Sequence, residues 1–406
     1  MALTLDSRNQ LRRGRVAVCL LFLLSGVAVG AWTARIPAIK QGLGLSDGQL
    51  SIGLLGLAAG AISGMQVVGR LVDRYGSAKI MVPMALTQGA VLVLPAYAPG
   101  LLTLALALFA FGAVHGTLDV AMNANAVEIE RAYRRPIMSS FHAIFSVGGF
   151  LGAAAGGLFA HADLSPAATF LTVGAAVAAL ASWAAQWALA IQPSGPHNDL
   201  LHDGSRPAKP PASRTRRPMP GVLFLGLLAF CCLVGEGAAA DWSSVYLRDS
   251  LDSSAGFAAV AFATFSLMMT AGRLAGDRLA AAFGPVTLVR GCGILAATGL
   301  AAAVLIGHPI AAVIGFGCFG AGLSCIVPQV FSAAGNLDPA QAGRALARVA
   351  GLGYLGFLSG PVLIGGAAGL FGLPRALLIP PLLALFVAAT AAALRVSGPR
   401  GPLCAI

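Results

Sequence analysis

A chain of 406 residues that is 57% hydrophobic and 10% charged, with a mean hydropathy of +0.83, is not a soluble domain, because soluble domains carry about 25% charged residues. Seven cysteines without paired spacing, two of them adjacent at Cys231 and Cys232, fit neither a disulfide scaffold nor a thiolate metal centre. The formal net charge of +11 raises nucleic-acid binding, but the basic residues sit in loops between apolar runs, where they set membrane topology instead.

Apolar runs long enough to cross a hydrocarbon core of about 30 Å recur along the whole chain. They predict twelve helices, at 16–36, 49–72, 80–97, 100–130, 138–160, 167–191, 220–246, 256–281, 285–306, 309–334, 342–371 and 374–395. Arg12, Arg13 and Arg15 precede the first run in the manner of a signal peptide. Eleven further runs follow, so the expectation is an uncleaved first span. Residues 192–219 hold six prolines and clustered basic residues, and read as a flexible cytoplasmic linker. The expected domains are an N-terminal six-helix half at 1–191, that linker, and a C-terminal six-helix half at 220–406. If the helices alternate in direction, Arg35, Lys40, Arg248 and Arg375 fall on one side and all the other basic residues on the opposite one. Both termini are then cytoplasmic. The expected fold class is an all-α membrane protein of 12 transmembrane helices in two pseudo-symmetric halves.

The halves repeat weakly. Gly69-Arg70-Leu71-Val72-Asp73-Arg74 follows the second helix, and Gly272-Arg273-Leu274-Ala275-Gly276-Asp277-Arg278 follows the eighth with one residue inserted. Gly148-Gly149-Phe150-Leu151 in the fifth helix is echoed by Gly356-Phe357-Leu358 in the eleventh. Repeats of this kind mark transporters, whose substrate site lies at the repeat interface.

Asp119 lies well inside the fourth helix, where a charged side chain costs a few kcal/mol or more unless it faces a bundle interior or water. His115, Asp119 and Asn123 are spaced i, i+4, i+8, which puts them on one face. Such a stripe suits a path for a polar solute, and equally an interhelical hydrogen-bond cluster.

The tract Gly69 to Gly76 with Lys79 resembles the loop between helices two and three of the major facilitator superfamily. That resemblance implies alternating access and a latch of Gly69, Arg70, Asp73 and Arg74. Asp73 would meet the eleventh helix in one access state, and by symmetry Asp277 would meet the start of the fifth near Arg135 to Ser139. A narrower resemblance is to the fucose permease branch, whose members are sugar–proton symporters. It rests on Ile36-Pro37, Gly44-Leu45-Ser46, Asp119 with Asn123, Trp242-Ser243, and Pro328 with Phe331-Ser332. It implies that Asp119 is the proton carrier. The branch's acidic residue near the end of the first helix falls here on Thr33, and His142 stands where the branch has Asn. The Gly-x-x-x-Gly-Pro element of proton antiporters is absent from the fifth helix, which has Gly148, Gly152, Gly156 and Gly157. It appears instead at Gly356, Gly360 and Pro361 in the eleventh.

The remaining candidates follow from position. His142 is placed at the depth of Asp119 and could hydrogen-bond Asp119 or Asn123. Glu236, flanked by Gly235 and Gly237 in the seventh helix, is a second proton site, a hydroxyl acceptor or a buried structural bond. Trp32 and Arg35 end the first helix and Asp241 and Trp242 the seventh, so Arg35 and Asp241 form a gate pair or simply anchor at the interface. Gln329 beside Pro328 breaks an apolar tenth helix and is a candidate substrate hydrogen-bonder. The expected proton-coupling residues are thus Asp119, His142 and Glu236, and the expected substrate contacts Trp32, His115, Asn123, Glu236, Trp242 and Gln329. Gly315-Phe316-Gly317-Cys318-Phe319-Gly320 spells a dinucleotide fingerprint inside an apolar helix with no preceding strand, so that reading fails.

Taken together, the sequence predicts no enzyme, cofactor, metal or nucleic-acid partner. It predicts a monomeric multi-pass protein of the bacterial inner membrane that moves a small polar, sugar-like solute, with protons and the lipid bilayer as its other partners. The alternatives are a proton-coupled antiporter exporting a drug or metabolite, and a non-transporting sensor of the same fold.

Overall fold

A computed structural model describes residues 5–188 and 220–395, so the expected linker at 192–219 lies outside the described residues. The described residues are almost entirely helical: α1 (Leu5–Gly42), α2 (Asp47–Tyr75), α3 (Ser77–Val91), α4 (Leu101–Tyr133), α5 (Met138–His161), α6 (Pro166–Ala188), α7 (Pro220–Val245), α8 (Ala255–Ile306), α9 (Pro309–Leu323), α10 (Ile326–Leu337), α11 (Ala342–Phe371), α12 (Leu373–Ala376) and α13 (Ile379–Thr390).

Among the described residues, eleven helical stretches are long and apolar enough to cross a membrane. One of them, Val260–Ile306, is 47 residues long. At 1.5 Å per residue it would reach about 70 Å, more than twice the hydrocarbon core. It does not run straight. Gly284 leaves the helical region at φ 75°, ψ 161°, with Pro285 after it. Glycine takes a positive φ without steric cost, and proline turns the residue before it away from helix. Phe265 and Ala296 would be about 46 Å apart on a straight helix. Yet the backbone of Phe265 touches the Cβ position of Gly320, and Ala296 touches that of Gly322. The two arms of α8 therefore lie side by side as two spans, which makes twelve crossings. α9 and α10 share one crossing, Pro309–Leu337, and α12 and α13 another, Leu373–Leu394.

Local chemistry sets several boundaries. Ser46 caps α2 in a reciprocal box with Gln49, with bonds of 3.3 and 3.0 Å. Ser254 accepts the Phe257 amide at the start of α8, and Gly307 ends that helix in the left-handed conformation.

Helix pairs meet where side chains vanish. A Cβ on Gly26 or Gly30 of α1 would collide with the α5 backbone at Phe145 or Gly149, and one on Gly148 or Gly152 of α5 with α1 at Leu23 or Val27. In the second set, Gly356 and Gly360 of α11 abut Phe230 and Val234 of α7 in the same way. The glycine runs of the fifth and eleventh helices are thus one device used twice, a close helix–helix seam. Gly56, Gly60 and Gly64 of α2 likewise press on the α4 backbone.

Candidate functional site

At the end of the bundle that carries the Arg-rich loops, polar bonds tie the first six spans to the last six. The Asp73 carboxylate near the end of α2 accepts the Gly343 amide in the first turn of α11 at 2.8 Å and pairs with Arg344 at 3.1 Å. An anion is favoured at a helix start, where the amides point outward. Gly69 permits the approach, since its Cβ position lies 3.0 Å from Arg344 Cα and from Ala347 Cβ. The second copy does the same. Asp277 accepts the Ser140 amide at 3.2 Å, one residue beyond the expected stretch, and Gly276 sits against Ser139. Arg70 and Arg74 are exposed, and Arg74 lies over the Tyr75 ring.

Two residues that the sequence reading passed over reinforce this end. Glu130, buried at the foot of α4, accepts the amides of Ile137 and Met138 at 2.9 and 3.0 Å and so caps α5. Its other oxygen accepts the Ser332 hydroxyl of α10. Arg131 donates to Asn336 at 2.6 Å and to the Gly335 carbonyl, also on α10. Their signal in the sequence was weak, because an acid beside an arginine at a helix end reads as a solvated face.

Deeper in the bundle the polar residues gather between the two sets. Asp119 is half-buried, and Asn123 donates to it at 3.2 Å, leaving the buried Asn123 Oδ1 without a partner among the described residues. Glu236 of α7 pairs with Arg273 of α8 at 3.8 Å, with 25% and 12% of their side chains exposed. The same guanidinium donates to Ser146 of α5 at 2.7 Å, bridging the two sets. Tyr354 of α11 is within electrostatic reach of both Asp119 and Glu236. His142 stands between the rings of Phe22 and Phe331, each 5.9 Å away, near Arg273. Its Nε2 is buried without a partner, so the bond expected to Asp119 or Asn123 is not made.

Arg273 corrects the sequence reading, which counted it among loop arginines that fix topology. It lies nine or more residues inside the first arm of α8, and its charge is spent on Glu236 and Ser146. The signal was available, since it falls eight residues before the end of the expected span 256–281, whereas Arg278 falls three before it. Tyr354 carried no such signal.

The other candidates separate. His115 is buried 3.4 Å from Ser25 and 3.2 Å from Gln88, among Phe111 and Phe145. That cluster joins α1, α3, α4 and α5, which makes His115 a packing residue rather than part of an open stripe. Trp32 is buried against Phe170 of α6. Trp242 rests on Gly365 of α11, with its indole N–H buried and unpartnered among the described residues. Arg35 is buried and donates to the Leu164 carbonyl, while Asp241 is exposed. The pair expected between them is not formed, and the Arg35 guanidinium is directed instead to the Leu164 carbonyl just before α6. Thr33 is exposed and bonded to its own helix at Val29. Gln329 is 4% exposed, and its Nε2 has no partner among the described residues. No group of three metal-ligating side chains occurs among the described residues.

Buried polar atoms are normally satisfied, and each orphan costs about 1–3 kcal/mol. Such orphans occur on α4, α5, α7, α8 and α10, at Asn123, His142, Trp242, Arg273 and Gln329 among others.

Residues 17–361 match the family model described as Major Facilitator Superfamily. The chain belongs to the major facilitator superfamily. It is 35% identical over 383 residues to an uncharacterised MFS-type transporter of Yersinia pestis, covering 93% of this chain and 95% of that one. It is 31% identical over 362 residues to the membrane protein MosC of Rhizobium meliloti, covering 89% and 85%. Among solved structures, FucP in the outward conformation superposes with a TM-score of 0.76 at 17% identity, over 93% of this chain and 97% of that one. The proton:xylose symporter XylE gives 0.70 at 12% identity, over 94% and 95%. These likenesses show the facilitator fold of a multi-pass membrane transporter, two of whose structural neighbours are sugar symporters.

Proposed function

We propose that this protein is a secondary active transporter that moves a small polar, sugar-like solute by alternating access, in symport with protons carried by Asp119. The observation that carries this reading is a half-buried carboxylate with a single amide partner in the first set of helices, together with a Glu236–Arg273 pair in the second set whose guanidinium also bonds Ser146 of the first. Protonation of Asp119 cancels a charge whose passage through a low-dielectric interior is costly. Asn123, Glu236, Tyr354 and Trp242 offer the hydrogen bonds and the aromatic face that a sugar uses, and Gln329, expected among them, lines a recess at the basic end instead. His142 and Glu236 complete the coupling.

In this reading the lobes are 1–191 and 220–406, joined through 192–219, and the basic end faces the cytoplasm of a bacterial inner membrane. The state described is then closed to the cytoplasm, with Gly69, Asp73 and Asp277 latched and Arg70 and Arg74 facing the membrane surface. Arg35 and Asp241 close the outer side in the opposite state. The protein works as a monomer without cofactor.

The test is an Asp119→Asn variant in proteoliposomes. Loss of pH-driven accumulation of its solute with counterflow retained is the expected result. Intact accumulation in that variant would remove Asp119 from coupling.

A further inference from the structure

The basic end holds a recess of about 860 Å³ that the transport reading does not use. It lies between the α4–α5 loop, the turn of α8 at Gly284, α10 and the chain after the last span. Four guanidinium groups line it beside that of Arg131: Arg134, Arg135, Arg290 and Arg395. All four are exposed. Those of Arg134, Arg290 and Arg395 make no hydrogen bond or ion pair with the described residues, and that of Arg135 lies over the Tyr133 ring. The one carboxylate in the lining, Glu130, is buried and already bonded to the α5 amides and Ser332. With five guanidinium groups against one carboxylate, the recess carries a net positive charge. Gln329, 4% exposed, is among the lining residues, and its buried Nε2 has no partner among the described residues.

Arginine forks match phosphate oxygens two at a time. A volume of this size exceeds that of one inorganic phosphate and falls in the range of ordinary ligand pockets. We propose that this recess binds a phosphate-bearing anion, either a soluble phosphorylated molecule or an anionic lipid headgroup. Its arginines come from both sets of helices, so the anion ties the α4–α5 loop to the α8 turn and holds the basic end shut.

The experiment needs no transport, so it stands or falls apart from the proposed function. Purified protein in phosphatidylcholine nanodiscs is heated with sodium pyrophosphate or with sodium chloride at matched ionic strength. In a second arm, part of the phosphatidylcholine is replaced by phosphatidylglycerol. The unfolding temperature is expected to rise in at least one arm, and which arm responds identifies the source of the phosphate. Arg290→Gln with Arg395→Gln should weaken the response roughly tenfold or more. Arg12→Gln with Arg13→Gln, which removes equal charge from exposed sites on α1 at the same end, should leave it intact. Should the first double variant fail to fold, Thr287→Glu places a repelling carboxylate in the same recess and should abolish the response. No rise in either arm, or the same response in both double variants, would overturn the proposal.

Discussion

Replacing Arg273 by Met leaves the Glu236 carboxylate deep between helices with no counter-charge. At 3.8 Å, two unit charges attract by about 4 kcal/mol at an effective dielectric of 20 and by about 1 kcal/mol in water. With 12% and 25% of the side chains exposed, the pair sits nearer the first limit, and water reaching it trims the interaction to about 2–3 kcal/mol. Removing one member of a buried pair costs about 3–5 kcal/mol, whereas removing both is often neutral. Arg273→Met should therefore lower the unfolding temperature in detergent markedly, Glu236→Leu less, since Arg273 keeps its bond to Ser146. The double variant should recover more than half of the loss. A double-mutant cycle read from thermal or denaturant unfolding gives the coupling energy. Strictly additive losses would mean that the two charges do not sense each other, and Glu236 would then do nothing to hold the guanidinium that bonds Ser146.

Other outcomes follow from the same geometry. Gly60→Ala should destabilise by about 1–3 kcal/mol, because its Cβ would fall 2.0 Å from the Phe109 carbonyl oxygen, whereas Gly157→Ala, with open space, should be neutral in the same unfolding assay. Asp73→Asn together with Asp277→Asn should lengthen the distance between spin labels at Tyr75 and Gln341, as the basic end spends more time open, and an unchanged distance distribution would count against a latch. Glu130→Gln should cost about 1.5–3 kcal/mol through weakened charge-assisted caps on α5, and Ser332→Ala only about 1 kcal/mol, so equal losses in thermal unfolding would refute the capping role.

Much of the fold was legible because lipid leaves the backbone few options. Twelve apolar runs predict twelve spans, and the break expected between 281 and 285 falls where Gly284 turns α8. The contacts of Asp73 with the start of α11 and of Asp277 with the start of α5 were legible too, since Gly69 and Asp73 recur as Gly272 and Asp277. The interior was harder. Spacing of i, i+4 puts His115 and Asp119 on one face of α4, but that face meets α1, α3 and α5 at one depth and α11 at another, and the sequence of α4 cannot say which. Arg273 was misassigned for a related reason: counting basic residues by side treats an arginine inside a span as though it had snorkelled to the surface.

The double duty of Glu130 bears on how cheaply the bundle can open. If the lobes part at the basic end, the Ser332 hydroxyl departs with α10, but the Ile137 and Met138 amides stay, because they belong to the same lobe as the acid. The carboxylate is never stranded. At this residue separation forfeits one neutral donor rather than the solvation of an anion, whereas Asp73 and Asp277, whose partners lie on the opposite set, would each be left to water.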